Sequence, residues 1–135
     1  MGLASFVDRL VICSNFPKYT SAFLAEVFHF DYVELLPEIL MRRDDFSISI
    51  LTDRHYSTDS ESFRLIFNFD SVEGVNDASS RVDLYNYRHP DYQVINCTSS
   101  KATNRGNLPE TVLFSDPENR VWGMRYSDSF MTAVM

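Results

Sequence analysis

Cysteine is scarce: Cys13 and Cys97 are the only two in 135 residues, and they are far apart in the chain. Both fall in stretches that read as strands, so reduced, buried thiols are expected rather than a disulfide scaffold. No apolar run approaches the ~18 residues of a membrane span. The opening MGLASFVDR has neither the basic region nor the apolar stretch of a signal peptide, and Phe6 breaks the myristoylation pattern. The expectation is a cytoplasmic protein without a membrane partner. In that setting the sequon Asn96-Cys97-Thr98 is a chance match. Basic clusters are also missing, and the formal charge is −7. A duplex backbone would be repelled, which argues against nucleic acid as a partner.

What is present is core material. Hydrophobic residues make up 44% of the chain, with eleven Phe and seven Tyr. A chain of this length buries roughly two-thirds of its unfolded surface and folds without a metal or disulfide staple. One domain spanning 1–135 is expected.

Periodicity gives the order of elements. Val7 to Cys13 alternates like a strand, with Leu10 and Ile12 on one face and Arg9, Val11 and Cys13 on the other. Ser14 or Asn15 can cap a following helix with Pro17 in its first turn. Phe16, Tyr19, Phe23, Val27 and Phe30 then recur at helical spacing. Tyr32–Leu36, Glu38–Arg43 and Phe46–Leu51 read as strands, the last two joined by an Asp44-Asp45 turn. Thr52–Glu61 is polar and aperiodic, hence a linker. Phe63–Phe69 alternates most cleanly. Asp70 and Glu73 stand in a capping-box relation before Val72, Val75, Val82 and Tyr85. Strands are expected again at Tyr92–Cys97, Glu110–Ser115 and Val121–Tyr126.

The chain therefore reads β-α-β-β-β twice, with half-modules at about 6–52 and 62–127. Arg9-Leu10-Val11-Ile12 lines up with Arg64-Leu65-Ile66-Phe67, and Glu38–Asp44 (EILMRRD) lines up with Glu110–Asp116 (ETVLFSD). The halves differ mainly by a polar insertion, Ser99–Asn107, a candidate lid before the seventh strand.

Phe114-Ser115-Asp116-Pro117-Glu118-Asn119-Arg120-Val121-Trp122 resembles the "F-x-D-P-(D)-G-N-x-W" turn near the C-terminus of the glyoxalase/bleomycin-resistance/dioxygenase (vicinal oxygen chelate) superfamily. Asp116 and Pro117 favour a tight turn, and Asn119 tolerates left-handed dihedrals where glycine is usual. The first strand (VDRLVI) and the fifth (FRLIFNF, then DSVEGV) resemble the same family, so the likeness spans nearly the whole chain. It implies an α+β fold in which two βαβββ modules form a cupped mixed sheet with helices on the outer face.

In that family each half gives two metal ligands, from its first and last strands. Carried over residue by residue, those positions fall on Arg9, Ser49, Arg64 and Gly123. A guanidinium stays protonated and cannot coordinate, and glycine has no side chain. The resemblance thus implies neither a metal nor another cofactor here. His29, His55 and His89 do not replace the missing donors, because none falls on a concave-face strand position. No arrangement for nucleophilic catalysis is legible, so catalytic residues are unassigned.

Strand parity gives the cup a different lining. Leu10, Ile12, Phe63, Leu65, Phe67, Phe69, Trp122 and Met124 should face the helices. Arg9, Val11, Ser49, Leu51, Arg64, Ile66, Asn68, Gly123 and Arg125 should face the other way. Arg9, Ser49, Arg64, Asn68 and Arg125 are the candidate ligand-binding residues. Arg9 and Arg64 either grip a carboxylate or phosphate bidentately or pair with Asp or Glu. The resemblance further implies a homodimer covering the sheet edges. Three functions stay open: a metal-free protein that binds or sequesters a small molecule, a divergent metal-dependent lyase, isomerase or dioxygenase with non-standard ligands, and a dimeric interaction domain without a ligand.

Overall fold

The structure is a computed structural model that describes residues 9–35, 37–53, 63–98 and 111–126. The chain before Arg9, most of the expected linker with His55, and the Ser99–Asn107 insertion lie outside the described residues. Two compact units divide the chain, Met1–Tyr56 and Ser57–Met135.

The first unit contains β1 (Leu10–Ser14), α1 (Pro17–Phe28), β2 (Asp31–Glu34), β3 (Ile39–Arg43) and β4 (Phe46–Thr52). Its sheet runs β1-β4-β3-β2, with β1 parallel to β4 and the other neighbours antiparallel. A parallel pair needs a crossover, which α1 and the β2–β3 ribbon supply. Pro17 occupies the first helical position, as expected, but Phe16 is the N-cap and gives no side-chain bond. Ser14 Oγ instead accepts from the Phe16 N–H at 3.0 Å and bonds Thr20 Oγ1 at 3.0 Å, tying the strand end to the helix. His29 ends α1 in the left-handed region, with φ 61°. Phe23, Leu24, Val27 and Phe28 from α1 are buried, as are Ile12, Met41, Ile48 and Ile50 from the sheet. Phe16, expected in the apolar stripe, is exposed, because it precedes the first turn. The Asp44-Asp45 turn forms as expected, with Asp44 at φ 54°.

The second unit repeats the plan with β5 (Phe63–Phe69), α2 (Val72–Arg88), β6 (Ile95–Asn96), β7 (Thr111–Ser115) and β8 (Arg120–Tyr126). Its order is β5-β8-β7-β6, with β5 parallel to β8. Ser71, rather than Asp70, caps α2 by accepting from Gly74 N at 3.0 Å, so the expected Asp70–Glu73 box does not form. Val72 is consequently in the first turn and 47% exposed, while Val75, Ala78, Val82 and Tyr85 are buried. β6 is two residues long instead of the expected Tyr92–Cys97. The reason is a side chain: Asn86 accepts from Val94 N–H and donates to Val94 C=O, both at 2.8 Å, so α2 takes the bonds a neighbouring strand would use. Cys97 follows this short edge strand and is exposed, correcting the expectation of two buried thiols; Cys13 is half-buried.

Losing the Ser71 cap should weaken α2 directly. Ser71→Ala is expected to lower the unfolding free energy by ~1 kcal/mol, read as a shifted urea midpoint at unchanged slope.

Candidate functional site on the helix-free faces of the two sheets

Two contacts fix which face of each sheet meets its helix. Ser14 on β1 bonds Thr20 on α1, and Ser79 on α2 lies 3.7 Å from Met124 Sδ on β8. Side chains alternate along a strand, so Leu10, Ile12, Leu65, Phe67, Phe69, Trp122 and Met124 share the helix-facing sides. The Phe63 side chain lies outside what the structure describes. The opposite faces carry Arg9, Val11, Ser49 and Leu51 in the first unit, and Arg64, Ile66, Asn68, Gly123 and Arg125 in the second. Arg64 and Asn68 are exposed and Arg125 is half-buried.

In the first unit this face is a polar cluster. Arg9 Nη1 donates to Ser49 Oγ at 3.0 Å and stands 3.3 Å from Glu38 Oε1. Arg42, which the sequence reading passed over, donates from Nε to Ser47 Oγ at 3.2 Å. Its place is set by register, since Arg42 lies opposite Ser47 on β4. The signal was in the sequence: β4 reads Phe-Ser-Ile-Ser-Ile, with Ser47 and Ser49 sharing one face and Ile48 and Ile50 the other.

The two closing pairs match. Val11 lies opposite Ser49, and Ile66 lies opposite Gly123, so Ser49 and Gly123 are equivalent positions once Arg9-Leu10-Val11 is laid on Arg64-Leu65-Ile66. The hairpins repeat one residue out of the expected alignment. Leu40 faces Ser49, and the residue facing Gly123 is Leu113, not Val112. A three-residue turn, Pro117–Asn119, closed by the Asp116 N–H bond to Arg120 C=O at 3.0 Å, replaces the two-residue Asp44-Asp45 turn, and this difference carries the offset.

No protein-family model matches the sequence, and no curated protein matches it by sequence. Solved structures do match. Fosfomycin resistance protein FosX from Mesorhizobium loti superposes with a TM-score of 0.72 at 12% identity, over 97% of this chain and 99% of that one. A mutant of FosX from Listeria monocytogenes, complexed with Mn(II) and a dihydroxypropylphosphonic acid, gives 0.65 at 14%, over 91% and 90%. Lactoylglutathione lyase from Agrobacterium tumefaciens gives 0.59 at 12%, over 92% and 95%. The chain shares the glyoxalase-like fold of these structures. The two four-stranded sheets and their two helices are those of this fold.

The positions that would ligate a metal in a vicinal oxygen chelate protein do not fit one here. Arg9 brings a permanent positive charge, and the Ser49 hydroxyl, fully buried, accepts from that guanidinium. Arg64 adds a second cation. A Cβ built on Gly123 would sit 2.9 Å from Ile66 Cγ1 and 3.0 Å from Leu113 Cδ2, so a ligand side chain there would require Ile66 to shift. Among the described residues no group of three or more His, Cys, Asp or Glu could hold a metal ion. His29 and His89 both sit at helix C-caps, the latter with its ring 4.3 Å from Tyr85.

A second charged cluster was missed at the sequence level. Arg120 is completely buried, and its Nε donates to Asp116 Oδ2 at 3.1 Å while Nη2 donates to Glu118 Oε2 at 2.7 Å. Trp122 Nε1 donates to Asp116 Oδ2 at 3.0 Å, and the backbone N–H groups of Glu118 and Arg120 donate to Oδ1. Tyr92 OH donates to Glu118 at 2.7 Å. Burial pushes the Asp116 carboxyl upward, against the pull of Arg120 and the donated hydrogen bonds. Arg120 is raised: burial alone would lower it, but Asp116, Tyr92 and Glu118 outweigh that. Shifted groups often mark reactive sites. This cluster reads as a structural clasp, because no face of it meets water and each carboxylate has several donors. The alternation of Asp116, Glu118 and Arg120 across a turn was the available signal; nothing local revealed that the cation points inward.

Removing the cation leaves two buried carboxylates without their counter-charge. Arg120→Met is therefore expected to cost about 3–5 kcal/mol in urea unfolding, whereas exposed Arg64→Met should change stability by less than about 0.5 kcal/mol.

Proposed function

We propose that this chain is a small-molecule-binding protein of the glyoxalase/bleomycin-resistance type, which holds or sequesters its ligand without a metal. The candidate ligand contacts are Arg9 and Ser49 on the helix-free face of the first unit, and Arg64, Asn68 and Arg125 on that of the second. The supporting observation is the Arg9–Ser49 hydrogen bond of 3.0 Å: where a chelating pair would stand, a guanidinium is seated on a hydroxyl. Such a surface recognises anionic oxygen rather than supplying it to a cation. In this reading the whole chain acts as one domain.

We further propose a homodimer that covers exposed sheet edges. β2 is an edge strand exposed along its length, with Tyr32 and Val33 presented and Leu35 just beyond it, and on β6, an edge strand of the second sheet, Ile95 is 65% exposed. Pairing or covering such edges is the usual remedy. Two free thiols suit a reducing compartment, and we place the protein in the cytoplasm. No helix among the described residues is long and apolar enough to cross a membrane.

Protein purified without chelator should retain no stoichiometric metal and should gain none when titrated with Zn(II), Mn(II), Ni(II) or Fe(II), as measured by elemental analysis. One tightly held ion per chain would transfer the case to a divergent metal-dependent lyase, isomerase or dioxygenase. In a thermal-shift screen of small carboxylates, phosphates and phosphonates, Arg9→Ala and Arg64→Ala should each weaken a confirmed hit by at least about tenfold. Unchanged affinity in both would remove the site assignment.

A further inference from the structure

We propose that Arg9 and Arg42, seated on Ser49 and Ser47, form a cradle for a phosphate-type dianion on the helix-free face of the first sheet, and that Glu38 is the internal anion this ligand displaces. The proposal rests on the reading that Arg9 belongs to a ligand site. It adds Arg42, Ser47 and Glu38, and it names the class of ligand.

The placement follows from β4. Ser47 and Ser49 are two residues apart on one strand, so both hydroxyls point to the same face, away from the helix side held by buried Ile48 and Ile50. Arg42 reaches Ser47 from β3 on one flank, and Arg9 reaches Ser49 from the start of β1 on the other. Two guanidinium groups thus flank a pair of nearly buried hydroxyls, with Ser47 6% and Ser49 0% exposed. A hydroxyl beneath a guanidinium fixes its direction without neutralising it. Among the described residues Arg42 has only its Nε committed, leaving its paired Nη groups to present a flat edge to two oxygens. A tetrahedral dianion has enough oxygens to meet both forks, whereas a single carboxylate does not.

Carboxylates also stand on this face. Glu38 is 3.3 Å from Arg9, with side chains 32% and 39% exposed. Asp31 on β2 is the register partner of Arg42, yet the Arg42 side chain bonds Ser47. A half-exposed pair such as Glu38–Arg9 is weak, so displacing Glu38 costs a ligand no more than about fivefold in affinity. Glu38 therefore acts as a placeholder. It keeps two like charges compatible in the ligand-free protein and yields to a stronger anion.

The test is calorimetric titration of the full chain with inorganic phosphate at low salt and slightly alkaline pH, with chloride as the control anion. Wild type should bind one phosphate per chain. Arg42→Gln and Arg9→Gln should each weaken binding at least about tenfold, and Glu38→Gln should strengthen it by about two- to fivefold. Ser47→Ala keeps Arg42 but removes its seat, and should weaken binding by a smaller factor; urea midpoints confirm that each variant is folded. Absence of phosphate binding by wild type, an unchanged affinity in Arg42→Gln, or weaker binding in Glu38→Gln overturns the proposal. The parent reading fails separately. If Arg64→Ala weakens a screened ligand while Arg42→Gln leaves phosphate binding untouched, the ligand-binding function stands and the phosphate cradle falls.

Discussion

In each unit the first strand lies parallel to the last, and the register of that pair decides what the helix-free face can be. Val11 meets Ser49 in one unit and Ile66 meets Gly123 in the other. Because side chains alternate, a slip of one residue would turn Ile48 or Ile50 outward and bury the arginines against a helix. The pairing is held by apolar burial on the helix side, where Ile12, Ile48, Ile50, Trp122 and Met124 are lost to solvent. The chemistry of the exposed side is thus a consequence of packing on the hidden one. The same register that puts a hydroxyl under Arg9 puts Gly123 against Ile66 and Leu113, which would have to move for a side chain to enter.

Arginine does two different jobs in this chain, and its surroundings separate them. Arg120 is buried and meets Asp116, Glu118 and Tyr92 at once. The desolvation cost of such a cation is offset only by a full set of partners, and no described buried side-chain polar atom lacks one. The clasp ties the turn between β7 and β8 to Trp122 in β8 and to Tyr92 in the segment between α2 and β6. Arg9 and Arg42 remain partly in water; Arg42 is directed by Ser47, and Arg9 by Ser49 with Glu38 beside it. The first arrangement stores nothing for a ligand; the second keeps donors at a surface where an anion can reach them.

The fold was legible because its signals are local. Phe63–Phe69 alternates so cleanly that the strand matches its expected bounds, and Asp44 and Asn119 adopt the left-handed conformations that short polar side chains tolerate, with φ 54° and 64°. The errors came from contacts between elements. Asn86 shortens β6 by bonding both backbone groups of Val94, which no window over Tyr92–Cys97 records. Ser71 outcompetes Asp70 as a cap by one position. Arg42 was passed over because it lies outside the positions carried over from the family, although the serines opposite it were visible. Arg120 in a turn looked like a solvated charge, since burial of an ion depends on partners brought from elsewhere in the unit.

We propose that Ser49 with Arg9 in the first unit, and Gly123 with Arg64 in the second, each lie on an anion-directed face and not at a cation site. The most direct measurement is an amide NMR spectrum recorded with substoichiometric Mn(II), whose unpaired electrons broaden nearby resonances. The account predicts that Val11, Ser49, Ile66 and Gly123 keep their line widths while scattered surface carboxylates show only weak, salt-sensitive broadening. Selective, saturable broadening centred on Val11 and Ser49, or on Ile66 and Gly123, would contradict it.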